Sequence, residues 1–286
     1  MKKTITLASY RERVMRVVDY LWHHLEDDLD ANQLSEIACF SSYHFQRIYR
    51  EMMHETLRQT LKRLRLHRAA CTLSRDSTPI ADIAQQTGYG SAEAFTRAFT
   101  AYYGQTPSRF RTQRFSPDAP ALSLPPLLKD YPMSYNVSIE TVDVLSMGGM
   151  HHKGDYLAIG STFDQLFALA QSHNLVDSNT RSFGVYFDDP GATEMRELRS
   201  MACITLSTAA AEHGLTAIEI GGGEHAVLTY TGPYSDLESV YAWFYGSWLP
   251  NSGREAREAP PAEEYINDPH DTPPAELITK IYLPLK

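Results

Sequence analysis

Apolar residues recur at helical spacing through residues 9–111, and the period changes to two after Tyr135. In the first stretch Val14, Val17, Val18, Leu21 and Leu25 form one stripe, predicting an amphipathic helix over 9–27. Asp30 with Gln33 reads as a capping box opening a short helix that turns Leu34, Ile37 and Ala38 inward. Ser41 starts a third helix, and Thr56 with Gln59 opens a long one to about Arg75. Thr78-Pro79 begins a fifth, with proline where its missing N–H costs least. Gly88 ends it, Ser91 caps a sixth, and Thr106-Pro107 opens a short seventh. Beyond Tyr135, strands are expected at 135–141, 144–152, 183–187, 201–206, 215–220, 224–231, 263–267 and 277–283. The helical stripe Phe163, Leu166, Phe167, Ala170 and a second helix over 235–249 interrupt them.

Five of the sixteen prolines (Pro117, Pro120, Pro125, Pro126, Pro132) fall between the two patterns, predicting an extended connector over 116–134. Charge divides at the same place. Residues 1–115 hold 17 Lys and Arg against 12 Asp and Glu, a net of +5, and residues 116–286 hold 9 against 23, a net of −14. A basic helical domain (1–115) and an acidic α+β domain (135–286) are therefore expected, the first a candidate for nucleic acid.

The helical half contains a repeat. Cys39-Phe40-Ser41 followed by Phe45-Gln46-Arg47-Ile48-Tyr49 parallels Gly88-Tyr89, Ser91 and Phe95-Thr96-Arg97-Ala98-Phe99. Each copy is a short helix, a tight turn and a helix with an aromatic, a polar residue and an arginine, the helix-turn-helix plan given twice. In the third helix Phe45, Ile48, Tyr49 and Met52 take the core face. That leaves Ser42, Tyr43, Gln46, Arg47 and Arg50 outward, groups able to reach base edges in a major groove. In the sixth, Phe95, Ala98, Phe99 and Tyr102 turn inward and Ala92, Glu93, Thr96, Arg97 and Thr100 outward. Any surface helix has a solvated polar face; it is the repetition that favours DNA reading.

The segment GYGSAEAFTRAFTAYYGQTPSRFR resembles the end of the DNA-binding domain of the AraC/XylS family, through Gly88-Tyr89, Phe95, Arg97, Phe99, Gly104, Thr106, Pro107, Phe110 and Arg111. The resemblance covers about residues 9–113. It implies two helix-turn-helix units joined by one long helix and entering successive major grooves, with Tyr43, Gln46 and Arg47 reading in the first and Ala92, Glu93 and Arg97 in the second. Glu93 and Thr100 depart from the polar and lysine residues frequent there, which makes the first unit the stronger reader. Arg58, Lys62 and Arg65 share a face of the connecting helix and are candidates for phosphate contact.

The second half is also duplicated. His152-Lys153-Gly154-Asp155-Tyr156 matches Tyr230-Thr231-Gly232-Pro233-Tyr234, and Gly184-Val185-Tyr186 through Pro190 matches Glu263-Glu264-Tyr265 through Pro269. Two strand-helix-strand-strand units side by side predict a curved antiparallel sheet with two helices and a groove between halves. The stretch from His225 to Lys286 resembles the GyrI-like effector-binding domain, and the resemblance covers about residues 135–286, strongest from Gly221 onward. That resemblance implies an aromatic groove with one buried acid for amphipathic, often cationic molecules, as in multidrug sensing. The family's acid-x-Tyr motif falls on Glu263 and Tyr265, and alternation puts Glu264 on the opposite face. Trp243, Tyr245, Trp248 and Phe163 are candidate walls or core packing.

Adjacent His23-His24 and His151-His152 point apart and cannot chelate as pairs, so no metal is expected. Gly221-Gly222-Gly223 lacks the G-K-[ST] of a phosphate loop and reads as a hairpin turn. Three widely spaced cysteines, without a signal sequence or a long apolar span, predict a reduced cytoplasmic protein. The expected partners are promoter duplex DNA, a small-molecule effector and RNA polymerase, with no membrane, no cofactor and no catalytic residues. The rivals are a hydrolase using Glu263 with a groove tyrosine, and an acidic module that binds another protein.

Overall fold

The structure, a computed structural model, describes residues 2–75, 77–112, 133–206 and 209–286, with side chains described except at 2–6 and 211. The predicted connector therefore lies outside the described residues as far as Pro132. Among the described residues seven helices precede it: α1 (Lys2–His23), α2 (Ala31–Ala38), α3 (Ser42–Met53), α4 (Leu57–Arg75), α5 (Ile80–Gln86), α6 (Ala92–Tyr103) and α7 (Pro107–Thr112). The expected caps at Asp30, Thr56 and Ser91 form, while Pro79 stands at the N-cap of α5 and not at its first helical position. Thr56 N donates to Gln59 Oε1 at 2.7 Å while Gln59 N donates to Thr56 Oγ1 at 3.3 Å. Ser91 Oγ accepts from Ala94 N, and Gly104 closes α6 in the left-handed region. Ser41 stands at the N-cap of α3 but makes no side-chain cap bond. α1 ends at His23, before the expected limit, although Leu25 stays buried beyond it.

The C-terminal half is one eight-stranded antiparallel sheet in the order β1-β6-β8-β7-β3-β4-β2-β5. Its strands are β1 (Val137–Val142), β2 (Leu145–Lys153), β3 (Ser182–Tyr186), β4 (Arg199–Thr205), β5 (Thr216–Ile220), β6 (Gly223–Thr231), β7 (Ala262–Tyr265) and β8 (Ile278–Pro284). Helix α8 (Gly160–Ser172) follows β2. At the matching place after β6 come α9 (Leu237–Trp243), a π turn over Phe244–Trp248 and α10 (Leu249–Ser252). Exchanging β1–β4 with β5–β8 reverses the strand order onto itself, so the sequence repeat is a pseudo-twofold. It passes through the β3–β7 pair, where Gly184 sits opposite its own counterpart, Glu263.

The glycine run is not a hairpin turn, because β5 and β6 do not pair: β5 lies beside β2 and β6 beside β1. The run instead links distant strands of the curled sheet, and Gly222 N donates to Val142 O at 2.9 Å. At Gly221, with φ +90°, a Cβ would meet Asp143 O at 2.1 Å, so only glycine lets the two crossing segments touch.

Packing does not follow the division in sequence. One apolar cluster joins α1, α3 and the first half of α4 to the C-terminal half: Tyr10, Val14, Val17, Phe45, Ile48 and Leu61 pack with Val240, Phe244, Tyr245 and Leu249. Polar ties reinforce it. Tyr10 Oη donates to Arg254 O at 3.3 Å, and Arg13 pairs with Glu255 at 2.9 Å. The second helix-turn-helix unit has its own core of Leu66, Leu73, Ile83, Phe95 and Phe99. Tyr102, expected to face inward, is 44% exposed, because Phe110 and Tyr103 already cover Phe99. Arg65 is held by Leu25 O at 2.6 Å and Asp27 O at 3.3 Å, so it braces the loop after α1 instead of lying free with Arg58 and Lys62.

Candidate effector groove and DNA-reading surface

The pseudo-twofold explains the buried acid. A carboxylate at both equivalent positions would set two like charges on neighbouring strands, so the axis holds one, Glu263, with Gly184 across from it. A Cβ on Gly184 would stand 2.8 Å from the hydroxyls of both Tyr186 and Tyr265, so the missing side chain makes room for that tyrosine pair. Their hydroxyls lie 2.5 Å apart, and Tyr265 Oη donates to Glu263 Oε2 at 3.0 Å. Burial pushes the Glu263 carboxyl up to about 7, with Tyr241, Tyr265 and the Arg47 guanidinium pulling the other way. Burial and then the nearby carboxylate push Tyr186, Tyr241 and Tyr265 well above the usual phenol range, which keeps them protonated donors.

Above the acid is a cavity of about 1190 Å³, more than a drug-sized molecule needs. Phe163, Tyr156, Tyr234 and Tyr265 form walls, with Tyr234 and Phe163 rings each in edge contact with Tyr265. Leu157, Met195 and Ile266 stand exposed on its rim, apolar surface suited to the hydrocarbon part of a ligand. Glu263, Tyr265 and Phe163 are thus among the residues that line the cavity.

Trp243 and Trp248 are not. Trp243 is buried against Tyr135, Trp248 packs on Phe244, and neither lines the cavity. Both belong to the shared core beneath α9 and the π turn. The residues the sequence did not single out for the groove are Tyr186, Tyr241, Tyr156 and Tyr234. Tyr186 was legible as the repeat partner of Tyr265; Tyr241 and Tyr245 carry only the ordinary i, i+4 spacing of a core stripe. Glu264 also borders the cavity, although alternation puts its side chain on the opposite face of β7 from Glu263, and it is buried rather than solvated. Arg181 Nε donates to it at 2.6 Å and Tyr282 Oη at 2.6 Å. Burial would raise its pKa, but Arg181 and Tyr282 outweigh that and hold it below the usual range.

The last wall is the largest departure from expectation: it is α3. Arg47, expected to face outward with Ser42, Tyr43, Gln46 and Arg50, is only 5% exposed. Its guanidinium lies over the rings of Tyr241 (4.9 Å) and Tyr245 (5.7 Å) and donates to Asp188 O at 2.7 Å. Arg50 pairs with Asp189 at 3.3 Å, and the Ser42 backbone N–H and hydroxyl both donate to Glu258. Between them His44, fully buried, sets Nδ1 2.8 Å from Tyr245 Oη. Tyr43 and Gln46 are half-buried. A polar, cationic helix face suits a duplex, and it equally suits an acidic domain of the same chain. The second unit differs: Glu93 and Arg97 are exposed, and Ala92 and Thr96 half-buried.

Among the described residues no cluster could hold a metal ion, no helix is long and apolar enough to cross a membrane, and Cys39, Cys71 and Cys203 are free. His152 is tied to Thr162 and Asp155 O, a structural role.

Residues 135–286 match the family of the GyrI-like small molecule binding domain, and residues 34–113 match a helix-turn-helix domain family. The right origin-binding protein of Escherichia coli is 24% identical over 255 residues, 86% of this chain and 87% of that protein. The regulatory protein SoxS of Salmonella typhimurium is 29% identical over 103 residues, 36% of this chain and 96% of its own. Among solved structures, the C-terminal domain of EcmrR is similar at 17% identity and a TM-score of 0.45, covering 54% of this chain and 99% of that one.

Proposed function

Because the chain belongs to the GyrI-like small-molecule binding family and joins that domain to an AraC-type DNA-binding half, we propose that Glu263 is the anchor for an amphipathic cation that controls DNA binding. The chain is a transcription regulator and not an enzyme, so the acid and tyrosines recognise a ligand and do not turn one over. The observation that carries the reading is a carboxylate met by a tyrosine hydroxyl at the floor of an aromatic cavity. Buried charge needs a partner, and a ligand cation with hydrocarbon attached would satisfy both floor and rim. Tyr43, Gln46, Arg47, Ala92, Glu93 and Arg97 are the base readers in this reading, and Ser42, Arg50 and Thr96 flank them. It acts in the cytoplasm, where three free thiols persist, and its output is a change in how RNA polymerase uses the promoter.

Dodecylguanidinium, a single cation on a long chain, tests the groove, with dodecyl sulfate as the control of opposite charge. Calorimetry should show binding of the first only, weakened about tenfold in Glu263→Gln, as loss of one charge-assisted contact implies. Affinity should also rise about tenfold from pH 6 to pH 8, because the carboxyl must ionise through about 7 to hold the cation. Equal binding of both detergents, or indifference to Glu263→Gln, removes the acid from the site. On the DNA side, Arg97→Ala should weaken binding of a selected duplex about tenfold at fixed salt, since a base contact is lost. An unchanged titration would return Arg97 to the solvated surface.

A further inference from the structure

The anionic floor of the groove already has a cation beside it, and that cation belongs to the DNA-reading helix. Arg47 and Glu263 line the same cavity, and Arg47 stacks on Tyr241 and Tyr245, faces a ligand cation would use. The face of α3 that carries Arg47 cannot lie against Tyr241 and in a major groove at once. We propose that Arg47 is a resident occupant of the effector groove, and that a guanidinium- or ammonium-bearing amphiphile takes its place and so frees α3 for DNA. This rests on the Glu263-centred groove of the preceding subsection and adds what the effector must compete with.

The docking contacts are of the kind that can be exchanged. Arg47 Nη1 and Asp189 Oδ2 are buried without a hydrogen-bond partner, so the charge cluster of Arg47, Arg50 and Asp189 is incompletely satisfied. The Arg50 side chain lies against Gly191, so the loop after β3 meets this helix through a side chain that can swing away. At the other end of α3, Glu258 holds the Ser42 N–H and hydroxyl, and Glu258 does not line the cavity. An effector that binds only where Arg47 has left is weakened by the fraction of molecules still docked. By linkage, DNA that needs α3 free and an effector that needs Arg47 gone must each strengthen the other.

The full-length chain decides the matter with dodecylguanidinium, below its micelle concentration, and a mixed-sequence duplex at fixed salt. Arg47→Ala should bind dodecylguanidinium about tenfold more tightly than the wild type, because the resident cation is gone. Glu258→Ala, an exposed change outside the cavity lining, should bind both dodecylguanidinium and DNA severalfold more tightly. Dodecylguanidinium should raise the wild type's DNA affinity by a similar factor and leave Glu258→Ala nearly unaffected. If Glu263→Gln weakens binding while Arg47→Ala and Glu258→Ala bind dodecylguanidinium no more tightly than the wild type, Arg47 is merely a wall and the inference is overturned. If Glu263→Gln changes nothing, the groove reading has failed instead. Should Arg47→Ala not fold, Glu258→Ala carries the test by itself: unchanged affinity for both ligands refutes competition.

Discussion

Glu263→Gln should make the unliganded protein more stable at pH 8, by about 3 kcal/mol, while it weakens binding of a cation. The carboxyl is raised from 4.5 to about 7 by burial, so ionising it in the folded protein is harder than in the unfolded chain. The sign follows from where protons sit. Between pH 4.5 and 7 the folded state holds the proton more firmly than the unfolded one, so wild-type stability falls as pH rises through that window. Below 4.5 the penalty is absent; above 7 it is complete, at roughly 1.4 kcal/mol for each tenfold difference in proton affinity between the two states. Glutamine keeps the shape and an acceptor for Tyr265 but cannot ionise. Urea denaturation of both proteins should therefore show a gap at pH 8 that closes as pH approaches 4.5. A gap independent of pH, or a less stable variant, would mean that the tyrosines already compensate the charge. A residue kept at a stability cost in the absence of ligand is what a binding site predicts.

The sequence disclosed the elements and the axis more fully than it disclosed the faces. Helix starts were legible because capping is local: Thr56 with Gln59, or Ser91 before Ala94, needs only a few neighbouring residues. The pseudo-twofold was legible because Gly184 and Glu263, and Tyr186 and Tyr265, occupy equivalent places in two copies. What α3 faces was not. Periodicity separates the Phe45–Ile48–Tyr49 side from the Arg47–Arg50 side, but a duplex and a domain carrying Asp188, Asp189 and Glu258 make the same demand on the second. Trp243 and Tyr245 show the limit on α9 and the π turn. Both are large aromatics, yet Tyr245 reaches Arg47 and the cavity while Trp243 goes to Tyr135. A π turn shifts the phase of the helix, and no single-period pattern anticipates that.

Acid should loosen the attachment of α3, and His44 should be the reason. In the dock its ring is fully buried; burial and then the adjacent Arg47 guanidinium lower its pKa from 6.5 to about 3. Tyr245 meets Nδ1, Arg47 follows on the same helix, and the backbone at Arg257 and Ala259 lies on the far side. A histidine kept neutral in the docked protein stabilises it above pH 6.5, and that contribution is lost as pH falls towards 3. At pH 5 the loss is about 2 kcal/mol, since states that expose the ring to water take up the proton and the docked one does not. Glu263 titrates over part of the same range but with the opposite sign, so the measurement belongs in the Glu263→Gln background. There, His44 should account for about 2 kcal/mol of the change in urea-denaturation stability between pH 7 and pH 5, and adding His44→Gln should remove that share, His67 and His225 supplying any further loss. Limited proteolysis within α3 should quicken at pH 5 in the first protein, provided the protease's own pH dependence is corrected with an unfolded substrate. If the acid effect survives His44→Gln undiminished, other groups hold the dock closed, and the buried imidazole contributes packing alone.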